Sequence, residues 1–131
     1  MNCRAFKLIA PVVLLALWSS AARGADDPIP EPTQNPAAIF RLFRTQNIYT
    51  FLRLDTRSGQ LWQVQWGIGD ENRLARTINE TPLANDGKPG RFTLYPTENI
   101  YNFMLLDQDT GLVWQVQWSL EAKQRLIILI G

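Results

Sequence analysis

A segment of 39 residues occurs twice in this chain, and this duplication constrains the fold more than any other feature. Residues 40–78 align without a gap to residues 92–130, and 18 of the 39 positions are identical. Agreement is closest at Trp62–Trp66 and Trp114–Trp118, which both read Trp-Gln-Val-Gln-Trp. A tandem duplication predicts two equivalent substructures, which we expect to be related by pseudo-twofold symmetry.

Each copy has the pattern of a β-hairpin. Two arms rich in aromatic and β-branched residues flank a turn that ends in Gly59 in the first copy and Gly111 in the second. The pairing leaves Thr56–Gly59 as a four-residue loop, at whose end glycine adopts a positive φ at low cost. Asp55 and its counterpart Asp107 are placed to accept hydrogen bonds from loop amides.

The register of each hairpin separates an aromatic face from a polar one. On the polar face, Thr50 and Asn102 stand opposite Gln65 and Gln117. We expect the two aromatic faces, each with its Trp-Val-Trp segment, to pack together. The opposed pairs on these faces are Tyr49–Trp66, Phe51–Val64, Arg53–Trp62, Tyr101–Trp118, Phe103–Val116 and Leu105–Trp114.

Shorter segments complete a four-stranded unit in each copy. They are residues 39–45 and 73–78 in the first copy and residues 91–97 and 125–130 in the second. Pro96 cannot donate to a sheet, so its strand ends there or lies at an edge. The segment 125–130 is so apolar that we expect it to be covered on both faces. The predicted fold class is all-β, with two tandem four-stranded antiparallel meanders forming a small barrel or a sandwich.

The first 24 residues have the pattern of a secretory signal peptide. Arg4 and Lys7 precede the apolar segment Leu8–Trp18, and small residues follow at Ala22–Gly24. The apolar segment is shorter than the roughly 20 residues that a membrane-spanning helix needs. We therefore expect cleavage near residue 24, no membrane insertion afterwards, and export to the periplasm or secretion.

The remaining chain divides into a tether and one domain. Residues 25–38 hold four of the eight prolines and almost no large apolar side chain, which predicts a disordered tether. A Pro-rich docking peptide is the alternative. Residues 39–131 then form a single β domain made of the two repeats.

Composition argues against several functions. The only cysteine, Cys3, lies in the predicted signal peptide, and the chain has no histidine. Catalytic triads, thiol chemistry and ordinary zinc sites are therefore absent from the residue inventory. Without residues 1–24 the formal charge is −2, which gives no basic surface for nucleic acid. We expect a protein that is not an enzyme and holds no cofactor and no metal ion.

Carboxylates offer the remaining routes to chemistry. A pair drawn from Asp55, Glu98 and Asp107 would be needed for glycosidase chemistry, although no spacing singles such a pair out. Asp107 and Asp109 could supply oxygen ligands to Ca²⁺. The first repeat has Arg57 where the second has Asp109, so a matching pair of calcium sites is not expected.

The aromatic and amide positions of the hairpins are the candidate ligand contacts. The tryptophans either form the core, because each buries about 150–250 Å², or leave a pair exposed as a stacking platform for a sugar or a peptide. The glutamine rows form either a solvated outer face or a ladder of amides for a glycan or an added strand. These candidates are Trp62, Gln63, Gln65, Trp66, Trp114, Gln115, Gln117 and Trp118.

The turn segment 107–114 resembles the Asp-box hairpin of bacterial-neuraminidase-type repeats, whose Asp, Gly and Trp spacings match Asp109, Gly111 and Trp114. The spacing Leu-Asp-x-x-x-Gly-x-x-Trp in both copies is also similar to the hairpin of quinoprotein-type propeller blades. Either resemblance implies a structural turn and carries over no active site. Because a propeller has about four to eight blades, two repeats would form one only as a ring of several chains.

These observations predict a small exported, non-enzymatic β domain that binds an envelope or extracellular protein or associates with itself. An unpaired edge at Leu126–Ile130 would favour such association. The alternative is a carbohydrate-binding module that uses the Trp, Tyr and Gln positions of the duplicated hairpins.

Overall fold

The computed structural model describes residues 29–131. The predicted signal peptide and residues 25–28 of the predicted tether lie outside the described residues. Residues 29–38 form no strand and are almost entirely exposed. A compact unit extends from Thr33 to Gly131 and contains all the strands of the described region.

Eight strands form two antiparallel meanders, one from each repeat, in the order β1-β2-β3-β4 and β5-β6-β7-β8. The predicted all-β fold of two four-stranded sheets is therefore confirmed. Of the two predicted architectures, the sandwich fits, since the sheets do not close into a barrel. The first sheet comprises β1 (Phe40–Arg44), β2 (Thr50–Asp55), β3 (Leu61–Gln65) and β4 (Leu74–Thr77). The second comprises β5 (Phe92–Pro96), β6 (Asn102–Asp107), β7 (Val113–Gln117) and β8 (Leu126–Ile130).

Short 3-10 turns, Asp70–Asn72 and Ala122–Gln124, precede the last strand of each sheet. Among residues 29–131, no helix has the length and apolar composition that crossing a bilayer requires.

The hairpin register agrees with the sequence-based prediction in both repeats. Phe51 pairs with Val64, and Phe103 pairs with Val116. The turn also matches, because the Gly59 N–H donates to the Asp55 carbonyl at 2.9 Å. Gly59 and Gly111 adopt positive φ values of 74° and 77°. These are left-handed conformations in which a side chain would be strained.

Side chains alternate along each strand, so each sheet presents two faces. We call the face that carries Trp62 or Trp114 the aromatic face, and the face that carries Gln63 or Gln115 the glutamine face. The aromatic face comprises Phe40, Leu42, Arg44, Phe51, Arg53, Asp55, Trp62, Val64, Trp66, Ala75 and Thr77 in the first sheet, and Phe92, Leu94, Pro96, Phe103, Leu105, Asp107, Trp114, Val116, Trp118, Ile127 and Leu129 in the second. The glutamine face comprises Arg41, Phe43, Thr50, Leu52, Leu54, Leu61, Gln63, Gln65, Leu74 and Arg76 in the first sheet, and Thr93, Tyr95, Asn102, Met104, Leu106, Val113, Gln115, Gln117, Leu126, Ile128 and Ile130 in the second.

The two sheets cover unlike faces, so the expectation that the two Trp-Val-Trp faces pack together is wrong. The core consists of the glutamine face of the first sheet and the aromatic face of the second. Their buried apolar residues form one cluster of Leu52, Leu54, Leu61, Phe92, Leu94, Phe103, Leu105, Val116 and Trp118. The sheets therefore stack front to back.

Hydrogen bonds fix this stacking. The Phe92 N–H at the start of β5 donates to the Thr56 carbonyl in the first hairpin turn at 2.8 Å. Across the core, the Ser119 N–H donates to the buried Gln63 side-chain oxygen at 3.2 Å. This acceptor role explains why an amide is tolerated in the sandwich interior, since a buried polar group must find a partner.

The last strand also departs from expectation. The apolar segment 125–130 was predicted to be covered on both faces, but β8 is an edge strand that pairs only with β7. Ile128, Leu129 and Ile130 are exposed. Ile127 packs partly against the core, but the described structure leaves the three last residues of this apolar strand uncovered.

Candidate functional site

The aromatic face of the first sheet is the largest set of uncovered aromatic side chains in the described structure. Phe40 and Leu42 on β1 are exposed, and Trp62 and Val64 on β3 are only half-buried. Phe40, Leu42, Phe51, Val64 and Trp66 are all less buried than their counterparts in the core, whereas Trp62 and its counterpart Trp114 are both half-buried. An exposed apolar patch is typical of an interaction site.

Two equivalent tryptophans show the contrast between the repeats. Trp66 is 50% exposed, whereas Trp118 is 1% exposed. Both stack on a tyrosine, with ring centroids 5.4 Å apart for Tyr49–Trp66 and 5.2 Å apart for Tyr101–Trp118. Both indole N–H groups donate to a backbone carbonyl at 2.8–2.9 Å. The local structure is therefore the same, and only the covering sheet differs.

Trp66 also borders a shallow groove of about 280 Å³ at the end of the aromatic face. Its walls combine an aromatic stack with amide groups. The lining residues are Tyr49, Gln65, Trp66, Gly67, Ile68 and Asn72. An apolar ring beside amide donors and acceptors is the chemistry that binds the faces and hydroxyl groups of a sugar.

Arg44 and Arg53 add positive charges to this face. The Arg44 guanidinium lies 6.0 Å from the centroid of the Phe51 ring. The Arg53 guanidinium lies over the Trp62 ring, 4.5 Å from the centroid, and 5.8 Å from that of Phe40. The arginine therefore covers part of the aromatic surface through a cation–π contact. Its Nε is buried and has no hydrogen-bond acceptor among the described residues. The counterpart of Arg53 in the second repeat is Leu105, which is fully buried.

The glutamine rows do not form one continuous ladder. Gln63 is buried between the sheets, and Gln65 lines the groove beside Trp66. The Gln115 side-chain N–H donates to the Asn102 side-chain oxygen at 2.9 Å, and Gln117 donates to the Gln124 carbonyl at 2.9 Å. Of the predicted amide contacts, the structure places only Gln65 with Trp66 at one site.

The glutamine face of the second sheet is a further uncovered surface. Tyr95, Ile128 and Ile130 are exposed on it, and Met104 and Leu106 are half-buried. None of the strand residues on this face carries a charge. A solvated sheet face is normally polar, whereas this face mixes amide side chains with exposed apolar ones, and exposed apolar patches are typical of interaction sites.

The two turn carboxylates accept hydrogen bonds from backbone amides of their loops. Asp55 accepts hydrogen bonds from the Arg57 backbone N–H at 2.9 Å and from the Arg57 guanidinium at 3.0 Å. Burial alone would raise the pKa of Asp55, but the hydrogen bonds and charge of Arg57 outweigh it and lower the pKa. Asp55 is therefore a stable anion that holds the first turn.

Asp107 is the equivalent carboxylate in the second turn, and its main partner is Arg91. Its carboxylate accepts from Arg91 Nη2 at 2.8 Å and from the Thr110 hydroxyl at 2.7 Å. The Arg91 hydrogen bonds hold the pKa of Asp107 well below its usual range, against the effect of burial. The pKa of Arg91 is raised by the same pair.

The positions of these carboxylates can be compared with the two hypotheses drawn from the sequence, a calcium site and a glycosidase pair. Arg91 lies between the Asp107 and Asp109 side chains, with Nε 3.6 Å from the Asp109 carboxylate, and so occupies the position that Ca²⁺ would need. Glu98 precedes β6 while Asp107 ends it, so the two lie at opposite ends of the strand. Within residues 29–131, no group of three or more Asp, Glu, His or Cys side chains is placed to hold a metal ion.

The structure adds residues that the sequence did not single out. Phe40 and Leu42 on β1 and Phe51 on β2 belong to the same uncovered face as Trp62 and Trp66. The sequence shows that these apolar residues alternate with other residues along their strands. The equivalent residues of the second repeat alternate in the same way and are buried, so the pattern does not predict which set is exposed. Comparison of the chain with protein-family models, curated proteins and solved structures finds no match.

Proposed function

We propose that this chain is a small exported, non-enzymatic β module that binds another protein through the aromatic face of its first sheet. One observation carries the proposal: five residues of this face are identical to core residues of the second sheet, yet in the described structure they are exposed or only half-buried. They are Phe40, Leu42, Phe51, Val64 and Trp66. Removing apolar surface from water contributes about 25 cal/mol per Å² to the free energy, from which the entropic cost of association is subtracted. Aromatic residues and arginine are also the types that dominate binding energy at interfaces.

Site-specific photo-crosslinking in cells tests this proposal. A benzophenone side chain is placed at Leu42, which is 55% exposed on the aromatic face, and at Leu120, a loop position of the second repeat that is 68% exposed. We expect a discrete cross-linked protein adduct from position 42 and none of that mass from position 120. Equal adducts from both positions, or none from position 42, would refute the protein-binding surface.

The groove beside Trp66 favours a second candidate, a carbohydrate-binding module. The second repeat has an equivalent aromatic stack and equivalent amides at Gln117 and Gln124, but its Trp118 is buried, so we expect one site per chain. A bound glycan should change tryptophan emission, and the change should vanish in Trp66→Ala. Unchanged emission across a broad glycan panel would remove this candidate.

A further inference from the structure

The interface inside the chain defines which faces of this fold fit together. The glutamine face of the first sheet packs on the aromatic face of the second. This arrangement leaves the aromatic face of the first sheet and the glutamine face of the second sheet uncovered. The two uncovered faces are therefore a complementary pair, and within one chain they lie on opposite outer sides of the stacked sheets.

The residues of the uncovered faces support this complementarity. On the aromatic face, the core residues Phe92, Leu94, Phe103, Val116 and Trp118 are matched one for one by identical residues of the first sheet: Phe40, Leu42, Phe51, Val64 and Trp66. On the glutamine face, the core residues Leu52, Leu54 and Leu61 are matched by the apolar residues Met104, Leu106 and Val113.

Charge is compatible with the same contact. The uncovered glutamine face has no charged strand residue, so no strand residue on it repels Arg44 or Arg53 of the aromatic face. The glutamine face supplies amide oxygens, and Arg53 Nε has no acceptor within the described chain. Two aromatic faces brought together would instead place two Arg53 side chains in one apolar interface, which is costly.

The backbone offers an equivalent hydrogen bond. Inside the chain, Phe92 donates its N–H to the Thr56 carbonyl. The repeat offset makes Phe40 the counterpart of Phe92, and Gln108 the counterpart of Thr56. The same bond can therefore form from Phe40 of one copy to Gln108 of another.

We propose that the partner of the aromatic face is a second copy of this chain, bound head to tail through the glutamine face of its second sheet. The proposal rests on the proposed function, because it names the protein that covers the same surface. A contact between two unlike faces is heterologous, so each added copy again presents one free face of each kind until a ring closes.

Two single substitutions and their mixture test this arrangement. Leu42→Lys places a charge on the aromatic face, and Ile128→Lys places one on the glutamine face, where Ile128 is 54% exposed. Size-exclusion chromatography with light scattering should show two or more copies for the wild-type protein and a monomer for each variant. Mixing the two monomeric variants should restore a one-to-one dimer, because each supplies the intact face that the other lacks.

Leu120→Lys is the matched control. Leu120 is 68% exposed in the loop after Trp118 and belongs to neither uncovered face, so it should remain outside the interface. This variant should assemble like the wild-type protein. Circular dichroism and thermal unfolding show whether each variant is folded, and Leu42→Gln and Ile128→Gln replace any lysine variant that is not.

Three outcomes would overturn the head-to-tail contact. They are a monomeric wild-type protein, wild-type assembly by the folded Ile128 variant, and a mixture of variants that remains monomeric. A monomeric wild type whose Leu42 cross-linker captures a different protein would refute only this inference and leave the proposed function standing. A monomer with no adduct would refute both.

Discussion

At the scale of single residues, Trp66 and Trp118 occupy the same place in the repeat and make the same hydrogen bond to a backbone carbonyl. Their contributions to stability should differ because only Trp118 is buried. We expect Trp118→Ala to lower the free energy of unfolding by about 4 kcal/mol, the range for an aromatic residue removed from a core. Trp66→Ala should cost about 2 kcal/mol or less, because half of the side chain is already in water.

Urea titrations of both variants in the Ile128→Lys background measure this difference without a contribution from association. Equal losses of stability would contradict the unequal burial of the two rings.

Asp107 should control the acid stability of the fold. Its carboxylate is buried against Arg91, and its pKa lies below the unfolded value. A carboxylate with a lowered pKa stabilises the fold at pH values above its unfolded pKa, about 3.9, and this stability is lost as the pH falls through the lower folded pKa. Asp107→Asn should cost about 2 kcal/mol at neutral pH, the value of a charged hydrogen bond.

The same substitution should also flatten the loss of stability on acidification, which chemical denaturation between neutral and acidic pH measures. Asp109→Asn is the control, because Asp109 is exposed and its ion pair with Arg91 contributes about 0.5 kcal/mol or less. A pH dependence that is unchanged in Asp107→Asn would contradict the role of the turn carboxylate.

At the scale of the hairpin, the two turn glycines share a left-handed backbone but have different surroundings. A side chain at Gly111 would meet no atom within 4 Å, whereas at Gly59 it would lie 3.0 Å from Leu83 and Phe92. Gly111→Ala should cost about 1 kcal/mol from backbone strain alone. Gly59→Ala should cost about 1 kcal/mol more, because the added methyl crowds the core.

Thermal unfolding of the two alanine variants compares them directly. A larger loss of stability for Gly111→Ala would show that the first turn does not pack on the start of β5.

Local chemistry made the elements predictable. The Gly-terminated loop and the alternation of aromatic residues fixed the hairpin register, and Pro96 correctly marked the end of an edge strand. The apolar composition of residues 125–130 misled the prediction of burial. A strand in the interior of a sheet and an exposed edge strand can have the same apolar composition, so composition alone does not predict burial.

At the scale of the whole molecule, identical repeats could meet through like faces or through unlike faces. The sequence does not decide between these arrangements, since Phe51, Val64 and Trp66 have exact counterparts in the other repeat. In the structure the sheets stack front to back, so the aromatic face of the second sheet forms part of the core and the aromatic face of the first sheet remains exposed. The position of the candidate site depends on which aromatic face the stacking leaves exposed. The repeated Trp-Gln-Val-Gln-Trp motif is the same in both sheets and therefore does not predict that position.

The most direct test of this account is fluorine NMR of the Ile128→Lys protein labelled with 5-fluorotryptophan, with a soluble gadolinium chelate as the probe of exposure. Trp66→Phe and Trp118→Phe assign the two signals. Front-to-back stacking predicts that the chelate strongly broadens the Trp66 signal and leaves the Trp118 signal sharp. Equal protection of both signals, as expected if the two Trp-Val-Trp segments packed on each other, would contradict it.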